Sequence, residues 1–326
     1  MRRAILMNTL LILLMGFTGC ASPKHIETAG NQSEYRRMLE MQKHQQQAEA
    51  VADEESAKNA PELNAQEREL RGDNALRKGN EALAFIHYQK AIAKDPKQTT
   101  ARYKLGMLYL NKAQAGEAAK QFEEILKLEP KSTLAYDGLG RVSLNRGQAD
   151  KARDYFNQAL ALDQGLWQAQ AFIGASYDQE RNYAAAIEAY QKAIALNPKS
   201  AMLYNNLGMS YLLKHDDRDA AEAFVKALKI EPENRKVYNN LGIALCRLGK
   251  FDAALEAFTK AGDKAGAYNN LGCFYLQAGR YAEAIEAFEQ AIKAKPSYYA
   301  KAHANLKRAR EALGNDAASG DARARP

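Results

Sequence analysis

The side chains that most often carry chemistry are few in this chain and widely spaced. Its five histidines, His25, His44, His87, His215 and His303, pair with no cysteine or carboxylate at a metal-ligand spacing. No glycine-rich phosphate loop follows a strand. The Asp216-Asp217 pair beside His215 has the residue types of an acid–base site. Acidic residues at a turn also start helices, and that is the reading taken here. Neither catalysis, a cofactor, a metal nor a small-molecule substrate is expected. Asparagines offer a different chemistry. Asn205 and Asn206, Asn239 and Asn240, and Asn269 and Asn270 each sit in a copy of Tyr-Asn-Asn-Leu-Gly. A side-chain amide both donates and accepts, so a ladder of them can pair with the backbone of an extended peptide whatever its sequence. The same amides can equally bond one another and stiffen the scaffold. Either use needs an element that brings them into line.

That element is repeated. Gly72, Gly106, Gly140, Gly174, Gly208 and Gly242 recur every 34 residues, and Gly272 follows after 30. Behind each glycine, at constant spacing, comes an alanine (Ala84, Ala118, Ala152, Ala186, Ala220, Ala254, Ala284). An aromatic ring follows in the same register (Tyr88, Phe122, Phe156, Tyr190, Phe224, Phe258, Phe288). A period of this length means one supersecondary unit copied and stacked. Plentiful alanine and only 8 prolines favour helix. Pro96, Pro130, Pro198, Pro232 and Pro296 fall where a second helix must stop. Gln164 replaces proline in the third copy, and the sixth has lost four residues around Gly262 and Gly266, which shortens its second helix or tightens its turn.

The pattern Tyr268-x-x-Leu271-Gly272-x-x-Tyr275, Ala284-x-x-x-Phe288-x-x-Ala291, Pro296 resembles the tetratricopeptide repeat. The resemblance implies an all-α superhelical solenoid of seven helix-turn-helix repeats over residues 65–298, closed by a capping helix over 299–314 and followed by a disordered tail over 315–326. It also implies a groove lined by the first helix of each repeat. The fifth and sixth residues of each repeat would face that groove. The asparagine pairs then line it, with Met209, Met202 and Ile243 beside them and Tyr103, Lys104 and Arg141 at equivalent phases of earlier repeats. The fifth positions hold Glu69, Tyr103, Asp137, Ala171, Asn205, Asn239 and Asn269. Lysines are absent there, which argues against a basic clamp for a terminal carboxylate.

The N-terminus carries an address. Arg2 and Arg3 precede a short apolar run, and Phe17-Thr18-Gly19-Cys20 closes it. This resembles the lipobox of bacterial lipoproteins. It implies a signal peptide over 1–19, acylation of Cys20 and, with Ala21 next, sorting to the outer membrane on its periplasmic side. Phe17 departs from the leucine usual in that motif. Residues 20–64 are rich in Gln, Glu and Lys, and read as a polar tether, partly helical or disordered. Cys246 and Cys273 lie on the first helices of neighbouring repeats. They read as small packing residues, and a disulfide between them is left open.

A net charge of +7, spread thinly, gives no argument for nucleic acid. The expected partners are proteins, with the membrane reached only through the lipid. In layout the chain resembles pilus-biogenesis lipoproteins, especially those of tight-adherence (Flp) pilus assembly. That implies a scaffold for localising or assembling a secretin or another pilus or secretion component. Envelope adaptors of peptidoglycan-processing enzymes and auxiliary subunits of polysaccharide synthesis or export are the alternatives.

Overall fold

The computed structural model describes residues 40–41, 63–295 and 299–323. The leader, Cys20, nearly all of the tether and Pro296 lie outside the described residues. Among the described residues every regular element is a helix. Helices α1 (Ala65–Arg77), α2 (Glu81–Lys94), α3 (Thr99–Asn111), α4 (Ala115–Leu128), α5 (Thr133–Asn145), α6 (Ala149–Leu162) and α7 (Trp167–Gln179) belong to one compact unit that ends at Glu180. A second unit holds α8 (Tyr183–Leu196), α9 (Ala201–Lys214), α10 (Asp217–Ile230), α11 (Arg235–Arg247), α12 (Phe251–Ala261), α13 (Lys264–Gln277), α14 (Tyr281–Ala294) and α15 (Ala300–Arg323).

Within each unit every helix packs on the next. The first helices of neighbouring repeats also touch, as α3 does α5, α5 does α7, and α9, α11, α13 and α15 do in series. The small and aromatic registers explain this packing. Phe122 is fully buried. Its ring lies against Gly106 of its own repeat and Gly138 of the next, and a Cβ at either glycine would come within 2.6 Å of it. The same glycine–ring contact recurs at Gly72 on Tyr88, Gly140 on Phe156, Gly208 on Phe224, Gly242 on Phe258 and Gly272 on Phe288. A bare backbone at these points lets paired helices close around one large ring, so the core is a row of aromatics capped by alanines.

The turns inside the hairpins share one geometry. The fifteenth residue of each repeat is left-handed: Gly79, Gly147, Gly249 and Gly279, but also Ala113 (φ 57), Arg181 (φ 60) and His215 (φ 69). After six of these residues, Arg181 excepted, the following amide reaches back to close the helix end, as Gln114 N–H does to the Tyr109 carbonyl at 2.8 Å and Asp216 N–H to Tyr211 at 2.9 Å. Where Gln164 stands in place of proline, Asp163 Oδ1 accepts from the Gly165 N–H at 2.9 Å, and α6 still stops at Leu162. The deletion in the sixth repeat shortens α12 to 11 residues, against 14 for α10. The last helix continues to Arg323, past Gly314 where the sequence reading placed its end. A glycine there meets no neighbouring atom, and in an exposed helix it costs only about 1 kcal/mol relative to alanine. Cys246 and Cys273 are both buried, and no disulfide joins one to the other.

Candidate partner-binding face

The first helices carry the candidate residues, and the two units differ in what those residues do. In the first unit they are charged and paired. Lys104 Nζ lies 2.5 Å from Glu69 and 2.7 Å from Asp73, so two carboxylates of α1 hold one ammonium of α3. Gln98 and Thr100 also donate to Glu69, and the Tyr88 hydroxyl donates to Asp73 at 2.8 Å. Burial first, then the bond and charge of Asp73, hold the Tyr88 phenol far above its ordinary range.

One repeat further on, Asp137 of α5 is the hub of a second cluster. Its Oδ2 accepts from the Tyr103 hydroxyl at 3.1 Å and from Arg141 Nε at 2.8 Å. The Arg141 guanidinium lies over the Phe172 ring of α7, its carbon 4.3 Å from the ring centre, and Phe172 in turn stacks on Phe156 at 5.4 Å. Burial raises the Tyr103 pKa well above its usual value, and the adjacent Asp137 carboxylate raises it further. Desolvation opposes the charge on Arg141, but Asp137 and Tyr103 more than offset it and the group stays ionised. The structure thus brings Tyr103 and Arg141 together through a residue the sequence had placed only as a fifth position.

In the second unit the same face is uncharged at its fifth, sixth and ninth positions. Asn240 Nδ2 donates to Asn205 Oδ1 at 3.0 Å. Asn305 of α15 donates to Asn269 Oδ1 at 3.0 Å, and it also reaches Cys273 Sγ at 3.6 Å. Two steps of the ladder are therefore bonded within the chain. Asn206 is buried, and its Nδ2 has no partner. Asn239 and Asn270 are half-buried and keep their amides for other use. Met209 and Ile243 are half-buried and pack against the α9–α11 core. Asn305 was missed in the sequence because its helix has lost the repeat pattern. Its asparagine, in line behind Asn269, was the available signal.

The other candidate has a structural role. Asp216 heads α10 and pairs with Lys214 at 2.6 Å, while Asp217 accepts from Arg247 of α11 at 3.2 Å. These carboxylates fasten a helix start and a repeat junction. Among the described residues no group of His, Cys, Asp and Glu could hold a metal ion. No described helix is long and apolar enough to cross a membrane. A crevice of about 350 Å³ opens between α8, α9 and α10, floored by Ile194, Leu207 and Ala223 and edged by Asp219, Glu222 and Lys226.

Models described as tetratricopeptide repeat match residues 103–166, 201–234, 223–256 and 265–298, and one described as TPR repeat matches 174–214. Between them they span most of the repeat region with short breaks. The chain is a tetratricopeptide repeat protein. Among solved structures, this tetratricopeptide chain is similar to the C-terminal part of a TPR repeat-containing protein from Cytophaga hutchinsonii. Identity is 19%, with 72% of this chain and 98% of that one covered, at a TM-score of 0.55. It is also similar to a tetratricopeptide repeat protein from Parabacteroides merdae (18%, 75% and 98%, TM-score 0.50). A third likeness is to a chain of the APC/C hetero-tetramer Cut9-Hcn1 (23% identity, 69% of this chain, TM-score 0.53), of which the match spans 45%. At these identities the likeness carries the fold alone. No curated protein matches the sequence. Tetratricopeptide arrays are protein-interaction scaffolds, and the paired hydrogen-bonding side chains on the first helices suit that role.

Proposed function

We propose that this tetratricopeptide protein is a lipid-anchored scaffold on the periplasmic side of the outer membrane, where it holds partner proteins while a pilus or secretion apparatus is assembled. The observation that carries the scaffold reading is the first-helix face of the second unit. Asn239 and Asn270 present amides with no partner among the described residues, between amide pairs already bonded to each other. A segment lying along such a face exchanges water for amide hydrogen bonds without needing a particular side chain. The anchor rests on Cys20 behind Phe17-Thr18-Gly19, and the pilus assignment on the layout of leader, tether and repeats.

In-cell crosslinking of a tagged chain, followed by mass spectrometry, tests the assignment. A secretin or a component of the pilus machinery should be recovered. Cell-wall hydrolases or polysaccharide enzymes in its place would keep the scaffold and remove the pilus. Cys20→Ala should move the chain from the membrane fraction to the soluble one, and an unchanged distribution would refute the lipid anchor. Changing Asn239 and Asn270 to alanine should weaken the recovered partner while altering stability by less than about 0.5 kcal/mol, since neither amide has an internal bond to lose. Full binding by that variant would move the contact elsewhere.

A further inference from the structure

The Asp137–Arg141 pair has more hydrogen-bonding capacity than the fold consumes. Arg141 spends Nε on Asp137 and holds its guanidinium over the Phe172 ring. No described residue accepts from either of its terminal nitrogens. Those nitrogens are not among the polar atoms sealed from solvent without a partner, so they reach the surface of the first-helix face. The same holds for Asp137 Oδ1, since Oδ2 takes both the Tyr103 hydroxyl and Arg141 Nε. The two side chains are only 11% and 12% exposed. What they show to solvent is therefore a rigid donor fork beside a single acceptor, held by one ion pair, one hydroxyl and one stacked ring.

We propose that Asp137 and Arg141 form a clasp for the main chain of an extended protein segment, with Arg141 donating to a guest carbonyl and Asp137 Oδ1 accepting the guest amide. The proposal rests on the reading of the first-helix face as the partner surface. Within an extended strand the N–H and C=O of one residue point to the same side, which is how paired strands exchange two bonds at once. Donor and acceptor side by side match that edge. An asparagine offers the same combination in one group, and asparagine occupies the equivalent fifth position in the last three repeats. Charge selects between guests. The pair is neutral as a whole, so a guest carboxylate would gain Arg141 but face Asp137 where water screens little. A carbonyl meets no such repulsion, and its bond to an ionised donor is stronger than one between neutral groups.

The test uses the full chain and random-sequence peptides displayed on phage. An enriched peptide is then resynthesised with each backbone amide in turn replaced by an ester, which removes the N–H and weakens the carbonyl. Two adjacent ester positions should cost affinity for the unaltered chain, about tenfold where the N–H held by Asp137 is lost and less where the carbonyl held by Arg141 is weakened. In R141K, which keeps the charge and loses the fork, the carbonyl-weakening ester should cost much less. D137L/R141M exchanges the buried pair for apolar side chains, a change that often preserves stability, and covers the case in which R141K does not fold. A flat ester scan, or an ester penalty unchanged in these variants, overturns the clasp and leaves the peptide-binding face standing. Enriched peptides that depend on an acidic side chain, and lose that dependence in R141K, assign Arg141 to carboxylates instead and overturn it too. Failure to enrich any peptide removes the face itself, and the clasp with it.

Discussion

Phe122 shows how little room the repeat leaves at a single residue. With Gly106 and Gly138 both touching its ring, a methyl group at either has nowhere to go, because the obstacle is a buried ring rather than the free end of a chain. Gly106→Ala should destabilise the fold by about 1–3 kcal/mol in urea unfolding. Adding Phe122→Leu should recover part of that loss if the ring is the obstacle, and an additive penalty would place the strain elsewhere. Cys246 makes a residue-scale prediction of another kind. Burial pushes its thiol up from 9.0 to about 12. The folded chain therefore holds this proton more tightly than the unfolded chain does. Its contribution is complete below about pH 9 and declines as pH rises toward about 12, with a slope of about 1.4 kcal/mol per pH unit. Cys246→Ala should flatten the fall in urea midpoint between about pH 9 and about pH 11. An unchanged fall would assign it to other groups, such as the buried tyrosines.

At the scale of the element, the turn at the fifteenth residue is the repeat's most regular feature and was the least legible in the sequence. Four of its seven residues are glycine, but Ala113, Arg181 and His215 adopt the same left-handed backbone, so composition did not mark the phase. For a residue with a Cβ this conformation carries a local cost, part of which glycine gives back through its freer unfolded chain. Ala113→Gly and His215→Gly should each stabilise the chain by about 0.5–1 kcal/mol, against the ordinary expectation for glycine between helices. A loss from either would mean that the methyl or imidazole contributes contacts exceeding the strain. What was legible followed from periodicity. Glycine, alanine and aromatic registers marked the two helices of each repeat, and prolines marked where the second one stops. The candidate face was legible only as a set of positions. Its bonds join residues about a repeat apart, such as Tyr103 to Asp137 and Asn205 to Asn240, and which partner each side chain takes depends on rotamers that no spacing encodes. The reach of α15 past Gly314 was hidden for a related reason: glycine marks a helix end only where the chain must turn.

For the molecule as a whole, stacking makes stability a sum of neighbour contacts, so an end repeat depends on whatever covers it. In the second unit that cover is α15. Ala302 is buried, Leu306 and Ala309 are buried against the Phe288 cluster, and Asn305 closes the last step of the asparagine ladder through Asn269. The α14 helix packs mainly on α13 and α15. A chain ending at Lys295 should therefore expose one face of its last hairpin and lose hydrogen-exchange protection in α13 and α14, while α9 and α10, two repeats away, keep theirs. It should also become prone to association through the uncovered face. Uniform loss of protection across the unit would contradict a neighbour-by-neighbour array, because it would mean that removing one cap is felt as strongly by repeats that never touched it.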